Sequence, residues 1–444
     1  MQNIPQTLPG TDPRITALRQ AIKVIDDNLS EEEKKSIRER TASVSIASVL
    51  DEIISAPTDS EVEEYWAKDK NSFVFWGPET STLVKTPETL CIPVNFDTFK
   101  YAGMFEIFSQ RPEYYDINKN GNILAAMQID SWARNKNLDE IFLKNANFSC
   151  KHRWNQTCNI DFKLLPDDSV NSRVTQIIQH MENINSYAML HNAEPGLAWV
   201  ARKKLNLDPY FYAFGDIIYT VKNKDSGEIK SFMYNGRTEV KSYLTQLQRE
   251  YPNTELSWKH IGMPITKELR VFTMNGDIVG YVPYWSPIAF KNQSVYGMRD
   301  NMTFDEALKQ LNTFNKSDLE HVHNETKKIT DHTKFHDTDW AIDWIKTQND
   351  DWYMTDMQTA NTSYMDYDNM IFVSPKTQRT VQNFMIKKME HLEKVWHNAS
   401  LVKRAMLTLT SGGRQTNVDK RLEQFGYPNT IRLKQMKEMA ELTK

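Results

Sequence analysis

The sequence predicts an α+β chain of more than one domain, and three observations lead there. Its 444 residues exceed what one ordinary hydrophobic core accommodates. Apolar residues recur at helical intervals near both ends. From Tyr210 to about residue 375, short alternating strand patterns separated by turn residues dominate instead.

The elements follow in order. Residues 12–70 read as helical: "NLSEEEKKSIRERTASVSIASVLDEII" offers Ser30 and Glu33 at capping-box spacing, and "TDSEVEEYWAKDK" starts another helix. "SFVFWGP" reads as strand and turn, and "TLCIPVNF" as a second short strand. Mixed structure continues to about residue 205 and includes the helix "NSRVTQIIQHMENINSYAML". "DPYFYAFGDIIYTVKNKDSGEIKSFMYNG" reads as strands around the turn Lys224–Gly227, and "TEVKSYLTQLQREYP" as an amphipathic helix stopped by Pro252. "ELRVFTMNGDIVGYVPY" is a hairpin around Asn275-Gly276, the strongest turn signal in the chain. A polar, partly helical section leads to a second hairpin at 338–358, and the lysine- and arginine-rich stretch from Val381 to Lys444 reads helical. These patterns suggest four parts: a helical region at 1–85, a mixed α/β domain at 86–207, a core at 208–375 and a basic helical tail at 376–444. No internal repeat or low-complexity tract appears.

Composition excludes several classes. Hydrophobic residues at 40% and charged residues at 25% describe a folded globular chain, not a disordered one. A net charge of −4 gives no overall pull toward nucleic acid; only the basic tail could supply one, and a solvated helix accounts for it more simply. No stretch is apolar enough to span a bilayer. "MQNIPQTLPGTDPR" lacks an apolar signal segment, and three cysteines suit a reducing compartment, so a cytoplasmic location is expected.

Candidate chemistry gathers in the strand-rich core. Lys222, Lys230 and Lys267 are cations on or near strands and could neutralise phosphates. Glu268 and Arg270 open the first hairpin, while Asp343, Asp356 and Gln358 are oxygen donors on the second. Asp356-Met357-Gln358 has period-two spacing, which puts the acid and the amide on one face of a sheet and Met357 in the opposite layer. Mg²⁺ needs only one or two protein carboxylates, because triphosphate oxygens and water complete its octahedron. A surface hairpin with solvated acids explains the same spacing equally well.

The order of the pieces resembles the ATP-grasp superfamily, and in particular a divergent group found in bacteriophage and bacterial genomes. The residues that carry it are Glu268-Leu-Arg270-Val-Phe272, Asn275-Gly276, Val279-Gly280, Asp343, and Trp352-Tyr-Met-Thr-Asp356-Met-Gln358, within residues 208–375. Asp356 stands where the family usually has glutamate and Gln358 where it has asparagine, so both keep oxygen ligands with altered reach. The resemblance implies a two-sheet nucleotide-binding core with helical additions at each end. It also implies an ATP- and Mg²⁺-dependent ligase, phage-encoded by that likeness, that activates a carboxylate as an acyl phosphate for an amine or similar nucleophile. Under it Lys230 and Lys222 meet phosphate, Lys267 and Glu268 belong to the nucleotide site, and Trp258–Met263 runs past adenine. Arg270 stabilises the transferred phosphoryl group, and Asp343, Asp356 and Gln358 hold metal. Each Asp→Asn exchange is then expected to leave the fold intact while cutting turnover.

Rival signals are weaker. His321, His323, His332 and His336 lie in one polar stretch whose spacing matches no familiar metal motif, and a solvated segment accounts for them better. Cys150, His152 and Cys158 read as packing. "KDSG" at 224–227 is similar to the lysine motif of nucleotidyltransferase ligases but has no partner motifs downstream. A nucleic-acid-binding or nucleic-acid-joining protein, or an interaction protein with an inactive ATP-grasp-like fold, stays open as an alternative class.

Overall fold

The computed structural model describes residues 68–93, 112–147, 149–165, 167–190, 198–215, 217–234, 240–291, 293–398 and 418–442. The helices expected over 12–67, with the Ser30–Glu33 cap, lie outside these residues. The chain divides into two compact units: residues 1–78, 87–265 and 292–302 form the first, and residues 79–86, 266–291 and 303–444 the second. Among the described residues no helix is long and apolar enough to cross a membrane.

In the first unit, strands β1 (Thr89–Pro93), β2 (Glu140–Asn145), β3 (Asn159–Asp161) and β4 (Ala198–Lys203) make an antiparallel sheet in the order β1-β4-β2-β3. Helix α1 (Phe73–Leu83) begins in this unit, and α2 (Pro112–Asn135) and α3 (Val170–Leu190) pack on each other and on the sheet. The strand expected at "SFVFWGP" is therefore helical. Helical spacing stacks Phe73 on Trp76 edge to face at 4.8 Å, and the Arg202 guanidinium caps the Phe73 ring at 4.9 Å. This tertiary packing of a buried aromatic face overrides the β preference of the residues and the breaker at Pro78.

Two further sheets complete this unit. Strands β6 (Ile217–Asn223), β7 (Ile229–Tyr234) and β8 (Thr254–His260) form a ribbon in the order β7-β6-β8, with α4 (Val240–Glu250) between β7 and β8 in sequence. Strand β5 (Phe211–Ala213) pairs with β9 (Met263–Ile265). Lys259 on β8 reaches Asp161 on β3 at 2.5 Å and Glu140 on β2 at 3.7 Å, and Lys204 also bonds Glu140. A charged network thus ties the ribbon to the four-stranded sheet.

The second unit is built on an antiparallel sheet in the order β13-β12-β10-β11-β14. Its strands are β10 (Glu268–Met274), β11 (Asp277–Pro283), β12 (Trp340–Lys346), β13 (Trp352–Thr359) and the short β14 (Ile371–Phe372). The turn between β10 and β11 is Asn275-Gly276, with φ of 53° and 79°, the left-handed pair that a two-residue hairpin requires. Helices α5 (Phe304–Leu311), α6 (Lys316–Thr330), α7 (Pro375–Asn398), α8 (Val418–Gln424) and α9 (Thr430–Leu442) complete it. Phe272, Met274, Val282 and Ala341 pack with Val381, Met385, Met389, Leu422, Tyr427 and Leu433. The described helices of the expected basic tail therefore contribute to the hydrophobic core.

Candidate functional site

Strand β10 is buried along its whole length although it contains Glu268 and Arg270. Alternation explains which way they point. Glu268, Arg270 and Phe272 share one face, and Leu269 and Val271 take the other. Cross-strand register then pairs Arg270 with Asp343, Asp343 with Asp356, and Ala341 with Gln358. Glu268, Arg270, Asp343, Asp356 and Gln358 therefore occupy the Phe272 face, while Met357, fully buried, takes the opposite one.

The centre of this face is a buried ion pair. Arg270 Nε donates to Asp343 Oδ1 at 2.7 Å and Nη2 to Oδ2 at 2.9 Å, the fork-to-fork arrangement that matches guanidinium to carboxylate. Nη1 donates to the Tyr364 carbonyl at 3.1 Å, and the Tyr284 ring centroid lies 4.9 Å from the guanidinium carbon. Arg270 is 8% and Asp343 3% exposed, so neither charge can be answered by bulk water. Burial alone would push the Arg270 pKa down; the Asp343 carboxylate outweighs it and holds the guanidinium charged, above its ordinary range.

The other acids differ. Asp356 and Gln358 are half-buried, and Asp356 Oδ1 accepts from the Met357 N–H at 3.1 Å. A register shift after Asp343 leaves Thr355 as the extra residue of β13, with its hydroxyl on the Asp343 carbonyl at 3.3 Å. Glu268, 2% exposed, accepts from the Trp285 indole N–H at 3.0 Å. Lys267 projects to the other side of the sheet, where its amine donates to the Thr313 carbonyl at 2.6 Å and lies 5.6 Å from the Phe314 ring; it does not join this face.

Lys222 and Lys230 belong to the first unit. Val221, not Lys222, is the register partner of Lys230, so the two lysines project from opposite faces of one ribbon. Lys230 lies 3.6 Å from Glu228 and 5.7 Å from the Tyr251 ring, on the face that carries buried Val221. The pair expected to act together on phosphate is thus split.

For a divalent metal, the oxygen-only set of Asp343, Asp356 and Gln358 suits a hard cation such as Mg²⁺. Asp343, however, spends both oxygens on Arg270 and so anchors the guanidinium, with Asp356 and Gln358 beside it on the same face. Among the described residues no three His, Cys, Asp or Glu side chains stand together as a metal cage. Three of the four histidines in that stretch make separate contacts. His323 Nδ1 lies 2.5 Å from the Tyr281 hydroxyl, whose pKa burial pushes up to about 12. His332 Nδ1 accepts from the Lys334 N–H at 3.3 Å. His336 Nδ1 lies 3.2 Å from the Thr330 carbonyl, and its ring packs on the Asn275-Gly276 turn. Cys150 and Cys158 are buried, and burial raises both thiol pKa values, that of Cys158 to about 11. Basic residues of α9 are paired as well: Arg432 with Asp368 at 2.8 Å, Lys434 with Glu393 at 3.0 Å and Lys437 with Glu390 at 2.8 Å.

Three contributors carried no signal in the sequence reading. Tyr284 reads only as the end of a strand, Trp285 follows it, and Tyr364 contributes a backbone carbonyl that no side-chain pattern encodes.

The chain matches no protein-family model and no curated protein. Among solved structures it is similar to Cdc123 from Schizosaccharomyces pombe, at 11% identity and a TM-score of 0.29 over 65% of this chain and 83% of that one. It is similar to D-alanyl-alanine synthetase A from Vibrio cholerae, at 9% identity and a TM-score of 0.24 over 66% of this chain and 55% of that one. A third is N5-carboxyaminoimidazole synthetase from Staphylococcus aureus complexed with ADP, at 8% identity and a TM-score of 0.22 over 65% and 43%. The likeness is one of fold alone, and the chain spans only about half the length of the two synthetases.

Proposed function

We propose that the protein is a cytoplasmic, Mg²⁺-ATP-dependent ligase of ATP-grasp type that activates a carboxylate as an acyl phosphate for attack by an amine or similar nucleophile. The observation that supports this reading is the gathering of Arg270, Asp343, Asp356 and Gln358 on one sheet face, a fixed cation beside hard oxygen donors. A donor carboxylate oxygen would attack the γ-phosphorus as ADP leaves with the bonding pair. The nucleophile would then attack the acyl carbon, and phosphate would leave. Arg270, kept charged and oriented by Asp343, would stabilise the charge that builds on the transferred phosphoryl group. Asp356 and Gln358 would hold Mg²⁺, which when bound supplies neutralisation of the phosphate oxygens.

The test is a thermal shift followed by turnover. A ligand that binds only the native state must raise the melting temperature, so ~5 mM Mg²⁺-ATP should raise it measurably. Asp356→Asn should retain most of that shift yet lose two or more decades of ATP turnover, on the order of 3 kcal/mol, because metal neutralises charge that grows only in the transition state. An unchanged melting temperature with Mg²⁺-ATP would sink the reading.

A further inference from the structure

Between β13 and β14, residues 360–370 form a strap, and its Tyr364 carbonyl takes the third hydrogen bond of Arg270, at 3.1 Å. The next residue, fully buried Met365, donates its N–H to the Phe425 carbonyl at 2.7 Å, and the Tyr367 N–H reaches the Gly426 carbonyl at 3.3 Å. Two side chains of the C-terminal helices hold the same strap. Lys388 Nζ donates to the Asn361 carbonyl at 3.1 Å, and Arg432 pairs with Asp368 at 2.8 Å.

Gly426 makes the closest approach. It has a φ of +72°, and a Cβ there would stand 2.3 Å from the Met365 carbonyl oxygen. That oxygen is backbone and cannot swing aside like a side-chain tip. The turn after α8 is itself closed by the Gly426 and Tyr427 N–H groups, on the Glu423 and Leu422 carbonyls at 2.9 and 3.0 Å. A hydrogen-bonded path therefore runs from this turn through the strap to the Arg270 guanidinium.

We propose that the turn Phe425–Tyr427 is a positioning element for Arg270, so that the helices beyond residue 375 complete the guanidinium's placement instead of merely covering the core. Arg270 has five N–H donors, and Asp343 fixes only the plane shared by Nε and Nη2. The Tyr364 carbonyl fixes the remaining edge, and the C-terminal turn fixes that carbonyl. A consequence for catalysis rests on the ligase reading above; the positioning of Arg270 does not.

The experiment uses the full chain and two readouts. The Arg270 Nε–H resonance is identified by its loss in Arg270→Lys, and its hydrogen exchange is followed by NMR in Gly426→Ala. A Cβ at residue 426 must displace Met365, so exchange should accelerate at least tenfold while far-UV circular dichroism stays native. Lys388→Ala, which removes a strap contact without adding bulk, should accelerate it severalfold and carries the test if Gly426→Ala does not fold. Turnover of Mg²⁺-ATP is read in parallel: kcat should fall in both variants with KM for ATP little changed, and Gly426→Ala should add almost nothing in an Arg270→Lys background. Unchanged Arg270 Nε–H exchange in a folded variant would overturn the proposal. Accelerated exchange with no ATP turnover in any protein, wild type included, would keep the positioning role and defeat the ligase reading instead.

Discussion

At Arg270 the chain buries a charge in the middle of a five-stranded sheet, and the consequences fall unequally on the acids around it. Asp343 is the counter-charge, so Asp343→Asn leaves a buried guanidinium without its carboxylate. Urea unfolding should show a loss of about 3–5 kcal/mol, the usual cost of breaking a buried pair from one side. Asp356, half-buried on the edge strand, should give well under half of that when changed to Asn. Replacing both partners together, as in Arg270→Met with Asp343→Leu, should cost less than Asp343→Asn alone, because no unpaired charge remains. Equal stability of the two single aspartate variants would contradict this account. For Asp343 this differs from the expectation that each Asp→Asn exchange leaves the fold intact, because strand spacing puts it on one face with Asp356 but says nothing of which neighbour neutralises it.

Elements were legible where the signal is local. The Asn275-Gly276 hairpin is set by two left-handed residues, and a Cβ on Gly276 would also meet the His336 ring at 2.5 Å. Gly276→Val should therefore destabilise the protein by about 1–2 kcal/mol or more, read as a lower urea midpoint at unchanged slope. An unaltered midpoint would mean that the turn is not formed as described. Helix α3, helix α4 and the hairpin from β12 to β13 were likewise readable from periodicity, and period two along Asp356-Met357-Gln358 foresaw their opposite faces. Residues 73–83 were not, because "FVFWGP" has the composition of a strand and a turn while its helix is stabilised by packing from Arg202, distant in sequence. Lys267 lies on the opposite side of the sheet for a related reason. It adjoins the site in sequence, yet one step along a strand reverses the face.

Across the molecule, the charges that join the sheets of the first unit make part of its stability dependent on pH. Burial would raise the Glu140 pKa, but Lys204 and then Lys259 outweigh it, and the net shift is downward from the usual 4.5. A depressed carboxylate contributes stability that is complete above its unfolded value and is lost as pH falls through the folded one. Acid titration from about pH 5 downward should therefore weaken the wild type more steeply than Glu140→Gln, and parallel acid limbs in the two proteins would rule the network out as a source. The division of the chain has a different consequence, one of timing. Residues 79–86 belong to the second unit, where the Lys85 carbonyl accepts from Met354 at 2.9 Å and the Lys85 amine bonds Asp351 at 2.6 Å. During synthesis this short segment leaves the ribosome long before the strand it must bond. The first unit can gather nearly all of its residues by Ile265, while the partner of Lys85 is not yet translated. The outer edge of β13 is thus finished by the oldest part of its own unit, and a ribosome that pauses before residue 352 leaves that segment with nothing to hold.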